Sequence, residues 1–226
     1  MAGVVMHLAV ADRAAEMLKI KEPSLFFAGN IAPDCVHARK DYNRLMKKHT
    51  HLRDGISDWD FLREEMISLF HKRMNKFVEH YCQKGDKQEL YLGYLSHLVT
   101  DEMFIRTIRE GCVTEAQKYG ISQRDSAFFG FMMRELNWSD SFTAKNYHFT
   151  HDPVRTAEKG QNCNINGFVS ADEIKSTVKW IDDNYFSGKN TFEPALYMNP
   201  DRIFSFIELS ASETVRIIEN IVKNES

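Results

Sequence analysis

Several features that mark other classes of protein are missing from this 226-residue sequence. No stretch approaches the roughly 18 consecutive apolar residues of a membrane-spanning helix. The first residues lack the basic segment of a secretory signal and show at once the apolar spacing of an amphipathic helix. No P-loop, Gly-x-Gly-x-x-Gly or Gly-x-Ser-x-Gly motif occurs. The sequence therefore gives no support for a transmembrane segment, a nucleotide-binding fold or a serine hydrolase.

Cysteine is scarce and unpaired in the sequence. The four cysteines are Cys35, Cys82, Cys112 and Cys163. Because none forms a Cys-x-x-Cys pair, the pattern argues against a thiolate zinc ribbon and fits reduced thiols in a cytosol. We therefore expect a cytoplasmic protein, in which any metal would be held by nitrogen and oxygen atoms.

Charge and composition are those of an ordinary globular protein. The formal net charge is -3, and 43% of the residues are hydrophobic against 27% charged. A slightly acidic chain carries no strong nucleic-acid signal. The length suits one large domain or at most two small ones, and we predict a single domain spanning residues 1–226.

Alternating strand patterns are nearly absent, and apolar residues recur at helical spacing along most of the chain. The sequence therefore predicts an all-α fold, a single-domain helical bundle. Helices are expected at about 4–20, 58–82, 88–110, 113–136, 171–185 and 200–222. Residues 137–169 are rich in turn signals.

The segment between the first two long helices is expected to be irregular. Gly29 is predicted to end one helical turn, and Pro33 to hold Ala32 extended, which would leave Asp34 on a loop. Residues 36–57 are polar and are predicted to form a surface excursion, and loops of that length are usually functional or disordered.

His97 and Asp101 stand four residues apart within the apolar stretch 91–104. On a helix this spacing places the two side chains over one another, so that both could coordinate one cation. Gly93 lies one turn earlier and is expected to leave open space above the histidine. The alternative is a buried His–Asp ion pair with no metal.

Three further positions strengthen the metal interpretation only when they are taken together. His7 lies in the first helix, Asp34 follows an apolar run, and "HTHL" presents His49 and His51, which would point the same way in an extended segment. Each alone has a structural explanation: a core histidine, a turn aspartate and a polar loop. Together they match a nitrogen and oxygen site for zinc or a similar metal.

Weaker candidates lie elsewhere. "HFTHDP" contains His148 and Asp152 at another four-residue spacing, and it includes the dipeptide His151–Asp152. "RLMKKH" with Arg53 forms a small basic cluster that could attract phosphate, although charge runs are usually solvated surface.

The ordered set "MHLAVA", "FFAGNIAPD", "HTHL" and "YLGYLSHLVTDEMF" resembles the zinc-dependent phospholipase C family, whose fold is shared with single-strand-specific zinc nucleases. The resemblance covers residues 1 to about 105. It implies a helical domain that holds metal ions and hydrolyses phosphate esters, with a metal-bound hydroxide attacking the ester.

By this resemblance, one zinc ion is held by Asp34, His51, His97 and Asp101, and a second ion shares Asp101 and uses His7. Asp34 and Asp101 are the expected catalytic residues. One or two zinc ions are expected, with manganese or iron as other metals that the site could take.

A third ion of the family is not matched, because no histidine occurs between Asp101 and His148. His148 and Asp152 are displaced candidates for the missing ligands. The expected partner is a small phosphate ester or a phospholipid headgroup, and the oligomeric state stays open. The alternative function is a helical metal-binding scaffold or interaction protein with a structural, non-catalytic ion.

Overall fold

The computed structural model describes residues 2–83, 85–188 and 190–224. Within these residues the fold is all-α, as predicted, and the nearest approach to a sheet is an isolated bridge between Ile165 and Val169. The α-helices are α1 Val4–Leu18, α2 Ser24–Ile31, α3 Arg44–Thr50, α4 Glu64–Tyr81, α5 Gln88–Thr107, α6 Arg109–Gln117, α7 Ser126–Asn146, α8 Pro153–Gly160, α9 Ala171–Ile181 and α10 Pro200–Asn224. A 3₁₀ helix spans Ala32–Ala38, and a π-helical turn spans Asp182–Phe186.

Helices α1, α2 and α5 form the centre of the molecule. Most residues of α2 and α5 are buried, including Phe26, Phe27 and Tyr94. Such helices are apolar all round because they have protein on every side. His7, His97 and Asp101, described below, lie on these central helices α1 and α5.

The backbones of α2 and α5 touch at two glycines. A Cβ added to Gly29 would lie 1.9 Å from the Leu90 carbonyl oxygen, and one added to Gly93 would lie 2.0 Å from the Phe26 carbonyl oxygen. The expectation that Gly93 leaves open space above His97 is therefore wrong. The α2 backbone fills that space, and the glycines permit the close approach.

Asp140 of α7 anchors the first turn of α1. Its Oδ1 accepts hydrogen bonds from the backbone N–H groups of Val5 and Met6, both at 3.0 Å. These are two of the donors that a helix leaves unsatisfied at its N-terminus. The interaction fixes the start of the helix that carries His7.

Asp140 predicts a pH-dependent contribution to stability. Burial raises its pKa to about 7 from 3.8, although the amides of Met6 and Val5 favour the ionised form. The folded protein then keeps a proton that the unfolded chain releases, so this contribution is present at low pH and is lost as pH rises. The free energy of unfolding of the wild type minus that of Asp140→Asn should therefore fall between about pH 4 and about pH 7 and stay constant above pH 7.

The measurement is urea unfolding of both proteins across that range. The side chain introduced by Asp140→Asn keeps an acceptor oxygen for the α1 amides but has no charge to lose, so the difference between the two curves isolates the titration. Asp172→Asn, at a side chain that is 95% exposed and pairs with Lys175, is the control and should stay parallel to the wild type throughout. Parallel curves for Asp140→Asn between pH 4 and 7 would contradict the prediction.

The segment around Pro33 differs from the prediction. α2 runs through Gly29, and Ala32 has helical dihedrals of φ -55° and ψ -43°. Pro33 lies in the first turn of the 3₁₀ helix, where its missing N–H costs no hydrogen bond. Asp34 is therefore held on a helical turn and not on a loop.

The predicted surface excursion at 36–57 contains α3. Asn43 caps this helix, because its side-chain oxygen accepts from the backbone N–H groups of Leu45 and Met46. His49 and His51 are not extended neighbours that point the same way: the His49 side chain is 55% exposed, whereas that of His51 is 1% exposed. The segment 36–57 is therefore buried again at His51, near its C-terminal end.

Other helix bounds shift as well. α4 begins at Glu64 and not near 58, and the region expected as one helix at 113–136 divides between α6 and α7. Gly120, with φ +72°, lies in the connection between these two helices. The turn-rich region includes the end of α7 and all of α8.

In the part of the chain that the structure describes, no helix combines the length and apolarity needed to cross a membrane.

Candidate metal centre

Five side chains meet between α1, the 3₁₀ helix, the end of α3 and α5. His97 Nε2 lies 3.2 Å from His51 Nε2, and the rings of His97 and His7 stack at 3.8 Å. His51 Nε2 also lies 3.4 Å from Asp34 Oδ1. The structure brings together all five residues that the sequence suggested: His7, Asp34, His51, His97 and Asp101.

Asp101 lies between two imidazoles. Its Oδ1 is 3.3 Å from His7 Nε2, and its Oδ2 is 3.6 Å from His51 Nε2. The Ala2 backbone N–H also donates to Oδ1, at 3.0 Å. The two oxygens of one carboxylate thus face histidines from two different helical segments, an arrangement suited to a bridging ligand.

The donor set fits a divalent cation. The ligand atoms of His7, Asp34 and His97 all lie within 4.8 Å of one another, and those of His51, His97 and Asp101 form a second such group. Both ring nitrogens of His7 and Oδ2 of Asp101 are buried without a hydrogen-bond partner. Such atoms cost free energy unless something satisfies them. Imidazole and carboxylate groups are ligands that zinc accepts.

Two backbone carbonyls orient the histidines. His97 Nδ1–H donates to the Asn30 carbonyl at 2.7 Å, and His51 Nδ1–H donates to the Lys47 carbonyl at 2.8 Å. With Nδ1 protonated in each ring, Nε2 carries the free lone pair that a metal would use. The Nε2 atoms of both rings face each other across the centre.

Electrostatics keep these residues in the protonation states that bind metal. Burial and the neighbouring His7 lower the pKa of His97 far below its usual value, so that its ring is neutral. Burial acts to raise the pKa of Asp34, but the ammonium of Lys47, 2.6 Å away, and His51 hold it well below the usual range. Burial likewise acts to raise the pKa of Asp101, but the positive charge of the amino terminus, followed by His7 and His97, holds that pKa well below its usual range.

Reasoning from the sequence placed Lys47 in a basic cluster but did not predict its pairing with Asp34, and it missed Asp140. Lys47 precedes His51 by one helical turn, so the spacing alone could have placed it beside the histidine. Asp140 is 135 residues from Val5, and no local pattern in the sequence relates the two.

The second group of sequence candidates does not join the centre. His148 is exposed, and Asp152 caps α8 by accepting from the Arg155 backbone N–H at 3.0 Å. His151 pairs instead with the buried Asp12 of α1, at 2.8 Å. Among the described residues, neither His148 nor Asp152 belongs to a group of potential ligands.

The comparison with known families agrees with this geometry. Residues 6–102 match the family model described as zinc dependent phospholipase C. This part of the chain is similar to the zinc-dependent phospholipase C family. The match contains all five residues of the centre, whereas α6 to α10 and Asp140 lie outside it. No curated protein and no solved structure matches the chain.

This similarity supports a zinc-dependent hydrolase of phospholipase C type at the level of the family. It also supports zinc as the metal, in agreement with the nitrogen and oxygen donors that the structure assembles. The family description points to phospholipids as the class of substrate.

Proposed function

We propose that this protein is a metal-dependent phosphoric ester hydrolase. The observation that carries the proposal is the position of Asp101, whose two oxygens face His7 and His51 within one buried group of nitrogen and oxygen donors. A carboxylate shared in this way would hold two cations close together. That is the arrangement on which hydrolysis of phosphate esters commonly depends.

The residues divide between two positions. Asp34, His51, His97 and Asp101 would hold one ion, and His7 with Asp101 would hold a second. A divalent ion here would lower the pKa of water towards about 7 and neutralise charge on phosphoryl oxygens. The Asn30 and Lys47 carbonyls fix the rings of His97 and His51 before substrate arrives, so no reorganisation is needed on binding.

The substrate would approach from the side of Asp34. Its side chain is 15% exposed, and Lys47 and the exposed ring of His37 border it. The Lys47 ammonium, 2.6 Å from Asp34 Oδ1, would attract a phosphate group to this opening. We propose a small phosphate ester or a phospholipid headgroup as the substrate, hydrolysed in the cytoplasm.

A metal-binding scaffold is the second candidate function. His7, His51, His97 and Asp101 are each at most 4% exposed. Deep burial of this kind is typical of a closed, structural ion. An open coordination position at the Asp34 side favours hydrolysis, and a closed shell of protein ligands favours the scaffold.

Asp101→Asn tests the enzymatic proposal. The zinc-loaded and manganese-loaded proteins should hydrolyse nitrophenyl phosphate monoesters or diesters. Asp101→Asn should lower kcat/KM by about a hundredfold or more, because an amide is a weak ligand and cannot neutralise two cations. Asp54→Asn changes an exposed aspartate that pairs with His49, and it should leave kcat/KM unchanged.

Metal content is measured on the same samples, so that a loss of metal is distinguished from a loss of chemistry. Full metal occupancy without turnover in the wild type, or equal turnover in Asp101→Asn, would favour the scaffold.

A further inference from the structure

Cationic side chains crowd around Asp58, in the segment that connects α3 to α4. Arg53 Nη2 lies 2.9 Å from Asp58 Oδ1, and the Arg44 guanidinium contacts Oδ2. Arg109 of α6 donates to the backbone carbonyl of Asp58. Lys48 lies close by, its Nζ donating to the Ile56 carbonyl at 2.9 Å. Four cations from three parts of the chain therefore surround Asp58, and two of them contact its carboxylate.

The other acidic residues of this segment do not balance the charge. Asp54 pairs with His49 at 3.0 Å, and Asp60 pairs with Arg63 at 2.9 Å. Asp58 is thus the carboxylate that faces the cluster. The group formed by Arg44, Lys48, Arg53 and Arg109 carries a clear excess of positive charge over Asp58.

Arg53 is the unusual member of the cluster. It is 5% exposed, and its Nε and Nη2 atoms have no hydrogen-bond partner. Its contact with Asp58 is an ion pair without hydrogen-bonding geometry. A buried guanidinium normally has all of its N–H groups satisfied, because each unmet donor costs about 1–3 kcal/mol.

Aromatic rings hold two of the guanidinium planes in place. Arg53 lies over the Phe61 ring at 4.5 Å, and Arg109 lies over the Trp59 ring at 5.0 Å. Stacking on aromatic faces is characteristic of arginine. It limits the conformational freedom of the side chain before a ligand binds, so that binding costs less entropy. The donors are therefore positioned before any ligand arrives.

We propose that Arg44, Arg53 and Arg109 form a binding site for a phosphate group, separate from the metal centre. Guanidinium groups match the oxygens of phosphate with paired hydrogen bonds, and a doubly charged oxyanion would offset the excess of positive charge. None of the five metal-centre residues belongs to this cluster, so the inference does not depend on the proposed hydrolysis.

The electrostatic state of the cluster agrees with an anion site. Burial and the like charges of Arg53 and Arg44 lower the pKa of Arg109, although Asp58 acts to raise it. Burial acts to raise the pKa of Asp58, but Arg53, Arg44 and Lys48 bring it below its usual value. Each residue therefore experiences a surplus of positive potential, which an oxyanion would relieve.

The phosphate could come from a soluble monoester or from a lipid headgroup. Arg44 is highly exposed, and exposed Leu45, Trp59 and Leu62 lie beside the cluster in sequence. Apolar side chains next to basic ones also suit an anionic lipid surface. The shared chemistry is the phosphate group, and the two sources are separated by experiment.

The first arm is calorimetric titration of inorganic phosphate into the zinc-loaded protein at constant ionic strength. Arg44→Gln and Arg109→Gln should each weaken one component of binding by about tenfold, since a charge-assisted hydrogen bond is lost. Asp58→Asn should strengthen it, because the competing carboxylate is removed. Asp101→Asn should leave this component unchanged, and so should Arg155→Gln, which alters an exposed arginine on α8.

The second arm is co-sedimentation with vesicles of phosphatidylcholine, with and without phosphatidic acid. Binding that needs phosphatidic acid and is lost in Arg44→Gln assigns a lipid headgroup, whereas phosphate binding without vesicle binding assigns a soluble ligand. The inference would be overturned if the wild type bound neither phosphate nor vesicles. It would also be overturned if both kinds of binding were equal in the wild type, Arg44→Gln and Arg109→Gln.

Discussion

Replacing His97 with alanine is expected to remove metal from the centre and to lower the stability of the protein. His97 is the residue common to both groups of potential ligands. A metal that binds the folded chain adds about 4 kcal/mol when its free concentration is about a thousandfold above the dissociation constant. His97→Ala should lose this contribution, together with the hydrogen bond to the Asn30 carbonyl.

Metal analysis of the purified proteins and thermal unfolding with and without a chelator measure the two effects. The wild-type melting temperature should fall on chelation, whereas that of His97→Ala should already be low and respond little. His49→Ala is the matched control, because His49 precedes His51 by two residues but its side chain is 55% exposed. Unchanged metal content in His97→Ala would show that the ligands are assigned wrongly.

Gly93→Ala is expected to destabilise the protein through the contact between α2 and α5. The new Cβ would meet the Phe26 carbonyl oxygen at 2.0 Å, and that atom belongs to a buried helix backbone. The two helices must separate, and overpacking of this kind costs about 3 kcal/mol or more. Because the Asn30 carbonyl orients His97 across the same contact, metal affinity should fall as well.

Gly130→Ala in α7 is the matched control for this substitution. A Cβ at that position meets nothing within 4 Å, and alanine has the higher helix propensity, worth up to about 1 kcal/mol. Urea unfolding should therefore show Gly130→Ala to be as stable as the wild type or more stable, with Gly93→Ala far below. Equal stability of the two variants would contradict the close approach of the backbones.

The sequence predicted helices best where a long apolar pattern repeats at helical spacing, as in α1, α5 and α10. It failed where short-range preferences were opposed by packing. Gly29 did not end its helix, because the glycine serves the contact with Leu90. Pro33 did not produce an extended segment, because it lies in the first turn of a 3₁₀ helix.

The candidate site could be chosen from the sequence because each of its five residues lies in a recognisable local motif. The spacing of His97 and Asp101 on one helix is a short-range property of the chain, and it does not depend on the rest of the fold. The choice of His51 over His49 came from the family pattern, and the difference in burial of the two rings agrees with it.

What the sequence determined by itself was the all-α class, which follows from periodicity, and a set of potential metal ligands, which follows from residue type together with the family pattern. Only the tertiary structure decided how these side chains face one another and what supports them. Asp140 holds α1 from 135 residues away, and Arg109 of α6 joins Arg53 around Asp58. Such contacts follow from the packing of helices that are distant in sequence, and local sequence patterns do not encode them.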